Sequence, residues 1–206
     1  MSAEYEIEPV RGLPGDLPAG EHIIWQGSPM WQRLARDAYK VRWVAGYFAF
    51  LMAWALIDGN MAGLLMTAIV GVTGVGLLFG MAWLAARSTV YTITNKRVVL
   101  RFGIAMPKCV NLPMSAISGA GVKHNGDGSG DIPLQLSGAH RLGYLQFWPH
   151  ARPWQVAAPQ PMLRALSEID GVAAILGEAL LTVDPARQRV ADNAKVPQPS
   201  GRLVAA

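Results

Sequence analysis

Residues 41–57 read VRWVAGYFAFLMAWALI, residues 58–60 DGN and residues 61–86 MAGLLMTAIVGVTGVGLLFGMAWLAA, and the rest of the chain is arranged around this stretch. Between Trp43 and Ala86 the sole charged residue is Asp58, beside Gly59 and Asn60, residue types that favour a tight turn. A helix needs about 20 apolar residues to cross a bilayer, with roughly 17 to 25 workable. Residues 41–57 sit at the short end of that range, and residues 61–86 are long enough to span with tilt. Lipid offers backbone polar groups no partner, so two helices joined at the turn are the economical arrangement. The alternative, a buried helical hairpin of a soluble domain, usually carries a polar stripe.

The flanks predict orientation. Arg33, Arg36, Lys40 and Arg42 precede the first apolar run, and Arg87, Lys96, Arg97 and Arg101 follow the second. The turn between them holds no Lys or Arg, so both termini are expected in the cytoplasm and the Asp58 turn outside. Residues 1–18 are acidic and proline-bearing without an apolar core, unlike a signal peptide, so the first span must also serve as the targeting signal.

The chain has 206 residues and a formal charge of +4, modest enough to reflect topology and anionic lipid rather than nucleic acid. Its single cysteine, Cys109, excludes an intramolecular disulfide and a multi-cysteine metal site. Residues 1–27 read as an extended segment with a short strand at EHIIWQG (residues 21–27). Ser28-Pro29 then opens an amphipathic juxtamembrane helix over residues 28–40, or else a cytoplasmic extension of the first span. Residues 88–181 form a cytoplasmic domain, with strands expected at 88–94, 97–102, 107–112, 117–123, 132–137 and 144–148. A helix follows at 171–181, Asp170 being its plausible cap. Strands with a terminal helix give a small curved α+β sheet whose open end the helix plugs. Residues 182–206 read as a disordered tail.

No reaction chemistry is legible. Residues 125–131 (NGDGSGD) have the oxygen spacing of a calcium loop, but the bidentate glutamate needed at the twelfth position is Leu136. The four histidines lack metal-ligand spacing, and no serine lies in a nucleophile-elbow context. No catalytic, cofactor or metal residue is therefore expected, nor an enzyme. Residues 141–154 (RLGYLQFWPHARPW) concentrate aromatic rings and arginines in a proline-stiffened run. Trp and Arg anchor interfaces, which makes Arg141, His150, Arg152 and Trp154 candidate partner contacts, with Tyr144, Phe147 and Trp148 mostly structural. Gly76 and Gly80 form a small-xxx-small step, suited either to packing within the hairpin or to self-association.

The run EHIIWQG before an apolar hairpin, followed by TVYTITNKRVVLRFG (residues 89–103), resembles the bacterial membrane-anchored pleckstrin-homology-like proteins. More narrowly, LRFGIAMP (100–107), NLP (111–113), GSGDIPLQLSG (128–138), residues 141–154 and PMLRAL (161–166) resemble the PuhB family of photosynthetic complex assembly proteins. The resemblance implies a PH-like sheet or barrel with a C-terminal helix, and a non-enzymatic factor for assembling the reaction centre and core light-harvesting complex 1. It also implies self-association, most simply as a homodimer, and residence in the photosynthetic inner membrane. Reaction-centre and core antenna subunits, with membrane lipid, are then the expected partners. A lipid-sensing or regulatory PH-like anchor module is the alternative.

Overall fold

Short segments precede the apolar hairpin. The computed structural model describes residues 12–137, 143–156 and 159–183, and it begins with strand β1 (Ile23–Gly27) and a two-turn helix α1 (Trp31–Asp37). Beyond α1, Lys40 adopts a left-handed backbone (φ 53°), and the chain bends by 58° into α2 (Val41–Ile57). Gly59 (φ 68°) shapes the turn, and Asn60 caps α3 (Met61–Ser88) by accepting the Gly63 N–H at 2.8 Å. The two long helices pack side by side with Phe48 against Gly71, where a Cβ would stand 2.9 Å from the ring. Among the described residues α3 alone is long and apolar enough to cross a bilayer, with a mean hydropathy of 2.1; α2 passes that test only together with α1 across the bend.

α1 differs from the expected juxtamembrane helix in length and in what covers it. It starts after Met30 without a side-chain cap, not at Ser28-Pro29. Its apolar Leu34 and Ala35 are buried in one cluster with Ala82, Ala85 and Ala86 of α3, and Trp31 stands edge-on to Phe79 at 6.2 Å. The apolar face of α1 is thus used by protein, because α3 runs on past the start of α2 and offers small residues for close approach.

Directly after α3, β2 (Val90–Thr94) pairs antiparallel with β1, Tyr91 opposite Gly27 and Thr94 opposite Ile23. The helical hairpin is therefore inserted between two neighbouring strands of one sheet. β1 belongs to that sheet, not to a separate N-terminal segment. β3 (Arg97–Phe102) and β4 (Lys108–Pro113) complete the order β1-β2-β3-β4. In the second sheet β5 (Ile117–Ala120) and β6 (Lys123–His124) pair with β7 (Gly130–Leu136). The expected strand at 144–148 is instead one helical turn, α4 (Tyr144–Phe147). β8 (Met162–Leu166), absent from the sequence reading, also pairs with β7, and α5 (Ile169–Val183) closes the fold. Tyr91, Ile93 and Leu100 of the first sheet share one core with Ile132 and Leu163 of the second and with Val172 and Leu176 of α5. The expected plug by a terminal helix is thus present. Residues 1–11 and 184–206, including most of the expected tail, lie outside the described residues.

Candidate functional site

Residues 143–156 cross from the core to the surface, and the structure divides the sequence-predicted contacts accordingly. Phe147 is buried against Phe102, as a core aromatic should be. Trp148 is 44% exposed and meets Tyr39 edge-on at 5.1 Å, so it covers the α1–α2 elbow and does not fill the core. Arg141 lies outside the described residues.

His150 is a correction: it is 1% exposed and is not presented to a partner. Its Nε2 lies 3.2 Å from Thr89 Oγ1 and its Nδ1 2.7 Å from the Tyr91 hydroxyl. Thr89 donates its only hydroxyl proton to Ala85 O at 2.6 Å, so it must accept from an Nε2–H. Nδ1 is then free to accept from Tyr91, whose oxygen in turn accepts the Arg164 N–H at 3.2 Å. Only a neutral imidazole completes this chain. Burial first, and the Arg164 charge second, push its pKa down to about 3. Burial likewise raises the Tyr91 phenol.

Arg164, itself buried, ties the same junction to the helices. It donates through Nη1 to Pro149 O at 2.8 Å and through Nη2 to Asp37 O at 3.1 Å, at the end of α1. Met30 N–H donates to Ala165 O at 2.8 Å, and Arg33 of α1 pairs with Asp127 in the loop between β6 and β7. The glycine-rich run is therefore an inter-strand loop braced against α1. Arg164 is a residue that sequence reasoning missed. Its one visible signal is a lone arginine inside an apolar run, MLRAL.

Arg152 and Trp154 lie where the sequence reading puts them, on the surface. Arg152 is exposed and donates through Nη1 to Gln160 Oε1 at 3.0 Å. Trp154 is 95% exposed and holds a left-handed backbone, φ 66°. A cleft of about 510 Å3 beside them is lined by Lys123, Arg152 and Arg164 against Asp131, and Arg164 Nε has no hydrogen-bond partner among the described residues. Such a cleft can accept an anionic group. No three His, Cys, Asp or Glu side chains gather as a metal site would need, among the described residues.

On the hairpin, a Cβ at Gly76 or Gly80 would meet nothing within 4 Å. Gly71 and Gly74 are the glycines that Phe48 approaches. The Gly76–Gly80 face is therefore not used within the hairpin.

A sequence-family model described as Bacterial PH domain matches residues 39–179, which take in α2, α3, β2 to β8 and most of α5. A Rhodobacter capsulatus protein described as an uncharacterized 23.7 kDa protein in the puhA 5′ region is 40% identical over 190 residues, 85% of this chain and 87% of its own. Among solved structures, a DUF1696 family protein with a pleckstrin-homology domain from Shewanella loihica aligns over 45% of this chain and 72% of its own, with 17% identity and a TM-score of 0.31. That last likeness is too distant to carry an argument.

Proposed function

The chain belongs to the bacterial PH-domain family, and from that premise we propose that it is a non-enzymatic assembly factor for the photosynthetic reaction centre and core light-harvesting complex, anchored in the inner membrane of a purple-type phototroph. The observation that carries this reading is the 40% identity, along 85% of the chain, to the Rhodobacter protein of the puhA 5′ region. It supports the narrower likeness to the PuhB family borne by residues 100–107, 128–138 and 141–154.

In this reading α2 and α3 cross the membrane as a hairpin. The 2.1 mean hydropathy of α3 and the exposed aromatic face of α2 support it. At about 1.5 Å per residue α3 is roughly 42 Å long, so its last turns stand clear of a hydrocarbon layer about 30 Å thick and pack against α1. Lys and Arg at both outer ends, with none in the turn, support a cytoplasmic PH-like domain and cytoplasmic termini. The open Gly76–Gly80 face supports a homodimer.

Trp154 and Arg152 are the subunit-contacting anchors. An exposed tryptophan adds little to a fold, and a left-handed backbone at a non-glycine residue costs about 1–2 kcal/mol. Both burdens fall on Trp154, which suits a side chain retained for a partner. Cross-linking an affinity-tagged chain while photosynthetic complexes are being made tests this. Reaction-centre and core antenna subunits should co-purify, and R152A/W154A should lower their yield. Recovery no better than with an unrelated inner-membrane protein would refute the reading. The cleft lined by Lys123, Arg152 and Arg164 favours a second reading, a lipid-sensing module. Headgroup-selective liposome binding by the full chain without protein partners, lost in K123Q/R152Q, would support it.

A further inference from the structure

The geometry points to an anionic-lipid site at the elbow between α1 and α2, with a phosphate headgroup among Arg36, Lys40 and Arg42 and its acyl chains along an aromatic stripe of α2. This inference rests on the membrane placement proposed above. The left-handed Lys40 and the 58° bend bring Arg36, at the end of α1, and Arg42, at the start of α2, to either side of Lys40. Together with Asp37 and Trp43 these three cations line a cleft of about 440 Å3. Arg33 is paired with Asp127 and Arg97 with Glu21, whereas Arg36, Lys40 and Arg42 form no ion pair among the described residues. Against the one carboxylate in the lining, Asp37, the cleft keeps an excess of two positive charges. A phosphodiester offsets one of these charges and offers acceptor oxygens that a guanidinium fork fits.

The same cleft opens onto a surface that a free phosphate would leave unused. Trp43, Tyr47, Phe50 and Trp54 are 79, 58, 64 and 66% exposed. At about 100° per residue they fall within an arc of about 60°, and from Trp43 to Trp54 the helix rises about 16 Å. That is about half of a roughly 30 Å hydrocarbon core, the depth of one leaflet. Trp43 belongs to both the cleft and the stripe. Contacts between membrane helices favour small residues, and the stripe of Trp43, Tyr47, Phe50 and Trp54 holds none, so it suits acyl chains better than a partner helix. A diacyl anionic lipid satisfies both surfaces at once.

The test uses the full chain in phosphatidylcholine nanodiscs carrying trace spin-labelled lipid, with electron paramagnetic resonance reporting the immobilised fraction. Labelled phosphatidylglycerol should be preferred over labelled phosphatidylcholine by roughly tenfold, and R36Q/R42Q, which leaves Lys40 at the elbow, should bring the preference close to one. Equal immobilisation of the two lipids, or an unchanged preference in R36Q/R42Q, would overturn the site. Displacement of the label by glycerol phosphate at constant ionic strength would also overturn it, in favour of a soluble-anion pocket. If R36Q/R42Q fails to fold, D37N decides: removing the one carboxylate should strengthen the preference, and no change overturns the site. Alkaline extraction of native membranes separates the two levels. Release of the chain overturns the membrane placement and this site with it, whereas a retained chain without lipid preference overturns the site alone.

Discussion

Replacing His150 with alanine should destabilise the PH-like domain at neutral pH and leave it less sensitive to acid. The imidazole fills a buried position between Phe102, at 5.2 Å between ring centroids, and Tyr91. Its loss removes packing worth about 1–2 kcal/mol and strands the buried Tyr91 donor, at about 1–3 kcal/mol. A total near 3 kcal/mol is a large part of a stability of about 5–15 kcal/mol. Because the folded-state pKa lies near 3 against an ordinary 6.5, the unfolded chain binds a proton that the folded chain excludes. The stability contribution of His150 is therefore full above 6.5 and is lost as pH falls toward 3, at about 1.4 kcal/mol per pH unit. His150→Ala lacks this slope, so its deficit at pH 7.5 should shrink by about 2 kcal/mol at pH 5. Denaturant unfolding of the detergent-solubilised chain, followed by near-ultraviolet circular dichroism, measures both quantities. A deficit below about 1 kcal/mol, or one that is equal at the two pH values, would refute the buried-network argument.

Arg152→Ala with Trp154→Ala should move the thermal midpoint of the domain little, yet lower core-complex accumulation; a normal level of complexes would make residues 152–154 a structural corner only. Trp148→Ala, which uncovers Tyr39, should loosen the elbow without the core collapse expected for Phe147→Ala, and limited proteolysis at the α1–α2 junction would report it. Gly76→Leu with Gly80→Leu should weaken a homodimer and leave the hairpin intact, since neither glycine faces α2; an unchanged cross-linking pattern would remove this face from the dimer. Topology reporters at Gly59 and after Leu181 should read periplasmic and cytoplasmic respectively, and a periplasmic C-terminal signal would contradict the proposed orientation.

The elements legible in the sequence are those whose signal is local. The apolar runs around Asp58 declare themselves by length and composition and the stretches over residues 89–102 by β-branched residues, and they form α2, α3, β2 and β3 as expected. The four residues of α4 did not declare themselves, because Tyr144 and Phe147 are good strand formers overridden by docking of Phe147 into the core. β8 was hidden by Arg164, a charge that interrupts the alternation yet is buried because Pro149 O and Asp37 O receive its guanidinium. The sheet membership of β1 is not legible locally, because its partner β2 lies beyond the whole helical hairpin. The burial of His150 is illegible for a related reason. Its partners Thr89 and Tyr91 are about 60 positions away, and a histidine between prolines looks the same whether it faces solvent or core. Arg152 and Trp154 are exposed, just beyond the buried Ala151.

The most direct measurement is the near-infrared absorption spectrum of membranes from a phototroph whose copy of this gene has been deleted, set beside the same strain carrying the gene in trans. An assembly factor predicts a reduced core-complex band and slowed phototrophic growth in the deletion strain, both restored by the wild-type gene. A deletion strain with normal core-complex absorption and normal growth in light would contradict the account.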